Sequence, residues 1–599
     1  MAETITRKEQ RLEDTWNVAF MFANEADWEV ELKSFREDLA GLSQYEGKLG
    51  SSAETLAEAF TLKLALERRL EHLFVYASMR ADEDTSDAHF QDLDMRAMSA
   101  YNEYLDKVSY MEPEILSIGE EQVRGWIGEN ATLKSYERAL ELILREAPHT
   151  LSKEQEALLA QAGEVVQTAS TAYNLLNNAD MRFEPVEHKG ETIHITNSTF
   201  VPLQMSEDRE LREKVYNSFY RSYREHENTI ASLFQSNLKA SRFLSRARKF
   251  PSNRAMYLFN SNVPEELYDN LIETVHENLP AMHRYVSLRK QLLGVDELHF
   301  HDVYASLVKD YQAKYSFDEA KAMVLEAVKP LGEDYSKIVK GAFNDRWMDI
   351  YPNKGKRSGA YSSGSYDSLP YMLLNYTSEL NDVFTLIHEM GHSVHSYLTH
   401  KHQPYVTGDY KIFVAEVAST CNEALLTHYL LQTTTDKEAR KFILNHYMDS
   451  FKSTLYRQTM FAEFERIVHA KVEAGDSLTA PVLNDIYKKL NEEYFGPDMI
   501  VDDNIALEWA RIPHFYRPFY VYQYATGFSA AIALSRRILE EGEPAVRDYL
   551  NFLSSGSAQD PIDTLRLAGV DMTQKEPVAA ALEIFSSLID EMEELVQAD

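Results

Sequence analysis

Cysteine is almost absent, with Cys421 alone among 599 residues. No intrachain disulfide can form, and a reducing cytoplasm is the expected setting. Basic residues are also short, 61 Lys and Arg against 95 Asp and Glu, which leaves a net charge of −34. That balance argues against nucleic acid, whose phosphates need a basic face, and against an anionic membrane surface. Long apolar runs are missing. The most apolar late run, Ala525 to Leu534, is about ten residues long and stops before Arg536-Arg537, too short to span a bilayer. The opening Met-Ala-Glu-Thr-Ile-Thr-Arg has no apolar h-region, so no signal peptide is expected. There is no fixed-period repeat, no low-complexity tract and no Gly-x4-Gly-Lys-Ser/Thr phosphate loop.

The chemistry is concentrated in one stretch, Asp382-Val-Phe-Thr-Leu-Ile-His388-Glu389-Met-Gly-His392. On a helix the two histidines stand one turn apart on one face, so both imidazoles can reach one metal ion. Glu389 can take a proton from a water on that metal. Asp382 is the expected N-cap and Pro404 the far limit of the helix. A polar helix that happens to carry two histidines is the alternative. The third ligand decides between the two. Glu416 sits in the apolar, helix-forming run Phe413-Val-Ala-Glu416-Val-Ala, and Glu423 follows seven residues on, along the same face. A core-facing acid is expensive unless paired or metal-bound, so Glu416 reads as the third ligand and Glu423 as a partner for a ligand histidine's other ring nitrogen. Two acids facing water is the other reading. The metzincin pattern fails, because positions 395 and 398 hold His395 and Leu398 rather than Gly and His. His299-Phe-His301 has no acid partner to complete a site.

His388-Glu-Met-Gly-His392 followed by Phe-Val-Ala-Glu416 resembles the thimet oligopeptidase superfamily of zinc metallopeptidases. Longer strings resemble its oligoendopeptidase F branch: Ile350-Tyr-Pro-Asn-Lys-Gly-Lys-Arg-Ser-Gly-Ala-Tyr361, Pro370-Tyr-Met-Leu-Leu-Asn-Tyr376 and Arg517-Pro-Phe-Tyr-Val-Tyr-Gln-Tyr-Ala-Thr-Gly527. The likeness runs over roughly residues 200 to 590. It implies a mostly α fold, two helical lobes around a deep channel, and a zinc endopeptidase acting on short peptides. One Zn2+ per chain is expected, with oligopeptides as the only evident partners. Family members also use a His and tyrosines from the 514–524 region as donors to the oxyanion, which points to His514, Tyr520 and Tyr522, with Tyr516 and Tyr524 behind them.

The rest of the chain fits around that stretch. Residues 1–185 are thin in Gly and Pro and helical in pattern, and read as an N-terminal domain forming one wall of the channel. Ser51-x-x-Glu54 reads as a capping box, and Leu56, Phe60, Leu64, Leu70, Phe74 and Ala77 draw the stripe of a long helix. Residues 186–599 read as the catalytic domain, with its core at about 345–530. His188 to Thr196 reads as one short strand. Gly359–Ser362 and Pro370–Thr377 read as two strands of a small sheet beside the zinc helix. Its edge would bind an extended peptide by the main chain, and the glycines between would let a loop move. Tyr456 to Glu465 is expected to line the channel wall. The functional reading is a zinc oligoendopeptidase. The alternatives are a carboxydipeptidase on the same scaffold and a non-catalytic peptide-binding protein.

Overall fold

The computed structural model describes residues 5–308 and 313–597. Among the described residues helices dominate, and the strands are seven short pieces: β1 (Val186–His188), β2 (Glu191–Ile193), β3 (Leu298–His299), β4 (Met348–Asp349), β5 (Tyr361–Ser363), β6 (Tyr371–Leu373) and β7 (Met499–Ile500). They form a β1–β2 hairpin, a parallel β3–β7 pair and a three-stranded sheet in the order β4-β6-β5. Among the described residues no helix is long and apolar enough to cross a membrane.

Contacts divide the chain into two units. The first comprises Met1–Pro148, Gln312–Tyr429 and Leu534–Val570; the second comprises His149–Tyr311, Leu430–Ala533 and Asp571–Asp599. This is not a linear cut at residue 185. The first 148 residues share a unit with β4–β6 because their core includes those strands. Tyr371 and Leu373 of β6 are buried in one cluster with Trp16, Trp28, Phe35, Leu70 and Leu73.

The spine of the first unit is the helix Ala53–Glu83, whose N-cap is Ser52, accepting from Thr55 N–H at 3.2 Å. The cap falls one residue after the expected Ser51. Leu56, Phe60, Leu70 and Ala77 of its stripe are buried, while Leu64 and Phe74 are half-buried. The helix needs two cores to do this. Leu56 and Phe60 pack with Met111, Ile115 and Val123, and Leu70 and Ala77 with Trp28 and Phe35.

In the second unit the 39-residue helix Arg209–Ala247 packs on Arg457–Ala474 and on Lys153–Leu175. The single strand expected over 188–196 is instead the β1–β2 hairpin. Lys189 and Gly190 both have positive φ, 51° and 84°, and form its two-residue turn. Tyr456, Met460, Phe461, Phe464 and Glu465, expected on a channel wall, are buried as core of this unit.

Candidate metal centre

The His388 helix spans Leu380–His402 and ends just before Pro404, as its sequence indicates. Its start lies earlier than expected. Glu379 is the N-cap, and Asp382, one turn in, accepts from the backbone N–H of Thr377 (2.7 Å) and Glu379 (3.0 Å). A carboxylate there satisfies N-terminal donors and complements the helix dipole.

The second helix, Ile412–Thr433, crosses the first at backbone contact. Gly391 makes this possible. A Cβ on it would stand 2.6 Å from Ser419 Cα and 2.8 Å from the Ala418 carbonyl oxygen. Asn422 closes the seam by donating to the Ile387 carbonyl at 3.3 Å.

The close crossing gathers His388, His392 and Glu416. His388 Nε2 lies 3.2 Å from His392 Nε2 and 3.3 Å from Glu416 Oε2, and His392 Nε2 lies 3.5 Å from the same oxygen. His388 Nδ1 is bonded to Glu423, which fixes the ring so that Nε2 faces the other two groups. Two imidazole nitrogens and a carboxylate oxygen therefore converge, the oxygen also accepting from the Ser419 hydroxyl at 3.2 Å. Ligands about 2.0–2.1 Å from a tetrahedral ion would be separated by roughly 3.3 Å. The three separations match that edge, and the donor set of two imidazoles and a carboxylate fits zinc.

Electrostatics agree. Burial opposes charge on His388, but Glu416 and Glu423 outweigh it and hold the imidazole pKa well above its ordinary range. Burial likewise opposes charge on Glu416, yet the two histidines hold it well below the carboxylate range. The pocket thus favours positive charge, which is compatible with a metal ion there. Glu389 is buried at 7% exposure. Burial raises its pKa, opposed by His388 and His392, which suits a carboxyl that exchanges a proton. Cys421, on the same helix as Glu416, is buried, and burial pushes its thiol up to about 12.

The sheet lies against the first helix. Ser362 of edge strand β5 shares a hydroxyl hydrogen bond of 2.8 Å with Ser393, the residue after His392. A cavity of about 200 Å³ is lined by Gly359, Leu374, Asn375, Asp382 and Thr385.

His514, Tyr520 and Tyr522 lie in the second unit. His514, Tyr520 and Tyr524 form one cluster, with ring centroids 6.3, 6.1 and 5.5 Å apart, and the Arg517 guanidinium sits 4.0 Å from the Tyr520 centroid. Tyr522 does not join them. It is 2% exposed, with its ring 5.2 Å from Tyr268 in the core. Tyr516 stacks on Tyr173 at 4.1 Å. Burial and Arg517 lower the His514 pKa, which favours the neutral ring. Sequence order ranks Tyr522 ahead of Tyr524. Helical phase could not have separated them, since the helix begins at Tyr522 and Tyr520 lies before it.

Comparison with known proteins bears on the same residues. The family model described as peptidase family M3 matches residues 203–584, and one described as oligopeptidase F matches 114–183. Oligopeptidase PepF of Bacillus subtilis (strain 168) is 47% identical, over 98% of this chain and 88% of that protein. Group B oligopeptidase PepB of Streptococcus agalactiae serotype III is 41% identical, over 97% of each. The crystal structure of oligoendopeptidase F from Enterococcus faecium superposes with a TM-score of 0.75 at 36% identity, covering 96% of this chain and 100% of that one.

Proposed function

The chain belongs to peptidase family M3, a family of metallopeptidases, and from that premise we propose that it is a zinc oligoendopeptidase cutting internal bonds of short peptides. The convergence of His388 Nε2, His392 Nε2 and Glu416 Oε2 carries this reading. Those three residues would hold the ion. When bound, zinc supplies Lewis acidity, which acidifies water and polarises a carbonyl.

The chain's own residues do the rest. Glu389 takes a proton from the attacking water and returns it to the leaving amine. Glu423 holds His388 in the tautomer that presents Nε2. Donors to the developing oxyanion are assigned to His514, Tyr520 and Tyr524, the three rings that cluster, with Tyr522 left to the core. The edge of β5 pairs with the main chain of an extended peptide and reads side chains loosely. A folded protein would have to unfold to offer such a segment. That costs roughly 5–15 kcal/mol, which pairing along a few residues does not recover.

The test uses a short internally quenched peptide with its C-terminus blocked. One zinc per chain is expected, with cleavage abolished by chelator and restored by zinc. A folded protein should stay intact. Cleavage that survives both chelation and His388→Ala would overturn the zinc reading, and failure on blocked peptides alone would turn it to a carboxydipeptidase.

A further inference from the structure

The hairpin between β5 and β6 carries a glycine- and serine-rich tip, Gly364-Ser-Tyr-Asp-Ser368, a composition suited to a mobile loop. Its contacts are those of an anchored one. Ser365 at the tip is 1% exposed, and its hydroxyl bonds His72 Nδ1 at 2.6 Å. The Tyr366 N–H donates to Glu71 at 3.2 Å. Asp367 accepts a two-pronged bond from Arg68, whose guanidinium also lies 4.6 Å from the Tyr366 ring centroid. The three residues Arg68, Glu71 and His72 occupy one turn of the Ala53–Glu83 helix.

The same helix grips the other end of the hairpin. Asp82 accepts from the Tyr361 hydroxyl at 2.8 Å, at the first residue of β5, and from the Arg357 backbone N–H through its carbonyl at 3.0 Å. Arg68 and Asp82 are fourteen residues apart, a span of about 21 Å at 1.5 Å per residue. A rigid rod thus holds β5 at both ends. The far side of the tip is fixed as well. The Tyr366 hydroxyl donates to the Gln403 carbonyl at the end of the His388 helix, and its ring fills the space where Gly408 would carry a Cβ, 2.6 Å away.

We propose that the Arg68–Asp82 stretch is a positioning splint, which holds edge strand β5 against the His388 helix in the register that admits a peptide. The proposal rests on the reading that peptides pair with β5. None of the splint residues touches substrate. They act through Tyr361, Ser365, Tyr366 and Asp367, and β5 in turn meets the metal-bearing helix at Ser362–Ser393. A free β5 would have to be ordered by each incoming peptide, so loss of the splint is a loss of uniform binding. It raises KM and leaves kcat in place.

The experiment compares the unaltered enzyme, Arg68→Ala/His72→Ala, and the gentler pair Tyr361→Phe and Ser365→Ala, which each remove one oxygen. If β5 is in register a tenth of the time, KM rises about tenfold. kcat, zinc content and the unfolding midpoint should hold. KM within twofold in all variants, or equal falls in kcat and zinc content, would overturn the splint. The underlying reading is tested separately on unaltered enzyme, with peptides N-methylated at one backbone nitrogen at a time. Raised KM at alternate positions, together with unchanged KM in the variants, removes the splint and leaves β5 pairing standing. No effect at any position removes both.

Discussion

Around Glu508 buried charges face opposite charges; at His388, His392 and Glu416 two imidazole nitrogens and a carboxylate oxygen face each other. Glu508 Oε1 accepts from Arg457 at 2.6 Å and Arg511 at 2.8 Å, and Oε2 from the Tyr487 hydroxyl at 2.7 Å. Burial opposes the charge, but the two arginines hold the carboxyl below its ordinary range. Nothing in this cluster is left to be supplied. The triangle in the first unit gathers groups that could together hold a metal ion. Burial and charge are common to both, so neither marks a site. Convergence of such groups does.

The widest way to break the comparison is to alter one acid in each cluster. Glu389→Gln should lower kcat by roughly 10²–10⁴-fold, with zinc content and unfolding midpoint unchanged, because in the proposed mechanism the residue moves a proton and ligates nothing. Turnover within tenfold of the unaltered enzyme would remove Glu389 as the base. Glu508→Ala should do the reverse. It leaves two half-buried guanidiniums without their counter-charge and should cost up to about 3–5 kcal/mol in denaturant unfolding, with zinc content of the folded fraction unchanged. Loss of zinc without loss of stability would place Glu508 in the metal site instead.

Glu423→Gln probes the contrast more finely, since it removes a charge from the metal cluster without removing a ligand. Zinc affinity should fall roughly 10–100-fold in a chelator competition, as such supporting carboxylates generally require. Unchanged affinity would mean that the His388 Nδ1 bond is incidental.

A further contrast separates burial with a cation from burial without one. Glu465 is as buried as Glu508. It accepts only from the Phe519 N–H, at 2.9 Å, and its other oxygen has no partner. Burial lifts its pKa from about 4.5 to about 8. A raised folded-state value means the acid form is favoured by folding. Its contribution is complete below pH 4.5 and is lost as pH climbs through about 8. Unfolding midpoints from pH 5 to 9 should fall on the alkaline side, and Glu465→Gln should flatten that fall. An equal slope in the variant would show that Glu465 is charged throughout.

How much of this could be read from residues follows from how local each feature is. His388 and His392 are one turn apart, and Glu416 and Glu423 two turns, so helical phase alone exposes them. The strands over 359–377 and the long stripe from Leu56 to Ala77 are legible for the same reason. The Lys189-Gly190 turn was hidden, because lysine is not a residue that announces positive φ. Glu508 and Arg457 are 51 residues apart, and no periodicity links them. The grouping of residues 1–148 with 312–429 depends on Tyr371 and Leu373 packing beside Trp28 and Phe35, a contact across some 340 positions. The serines and glycines at 362–368 were misleading in isolation, since what anchors them, Arg68 to Asp82, lies nearly 300 residues upstream.

Anyone grafting this chemistry onto a new scaffold would be misled by the five-letter motif. Of its two unspecified letters, Met390 points into a core that another apolar side chain can fill. The letter at 391 is different. Its missing methyl group is the gap through which the neighbouring backbone passes, 2.6 Å from where that methyl would stand. The transplantable part is therefore a pair of helices pressed together at a glycine, and a histidine pair copied without that crossing arrives without its third arm.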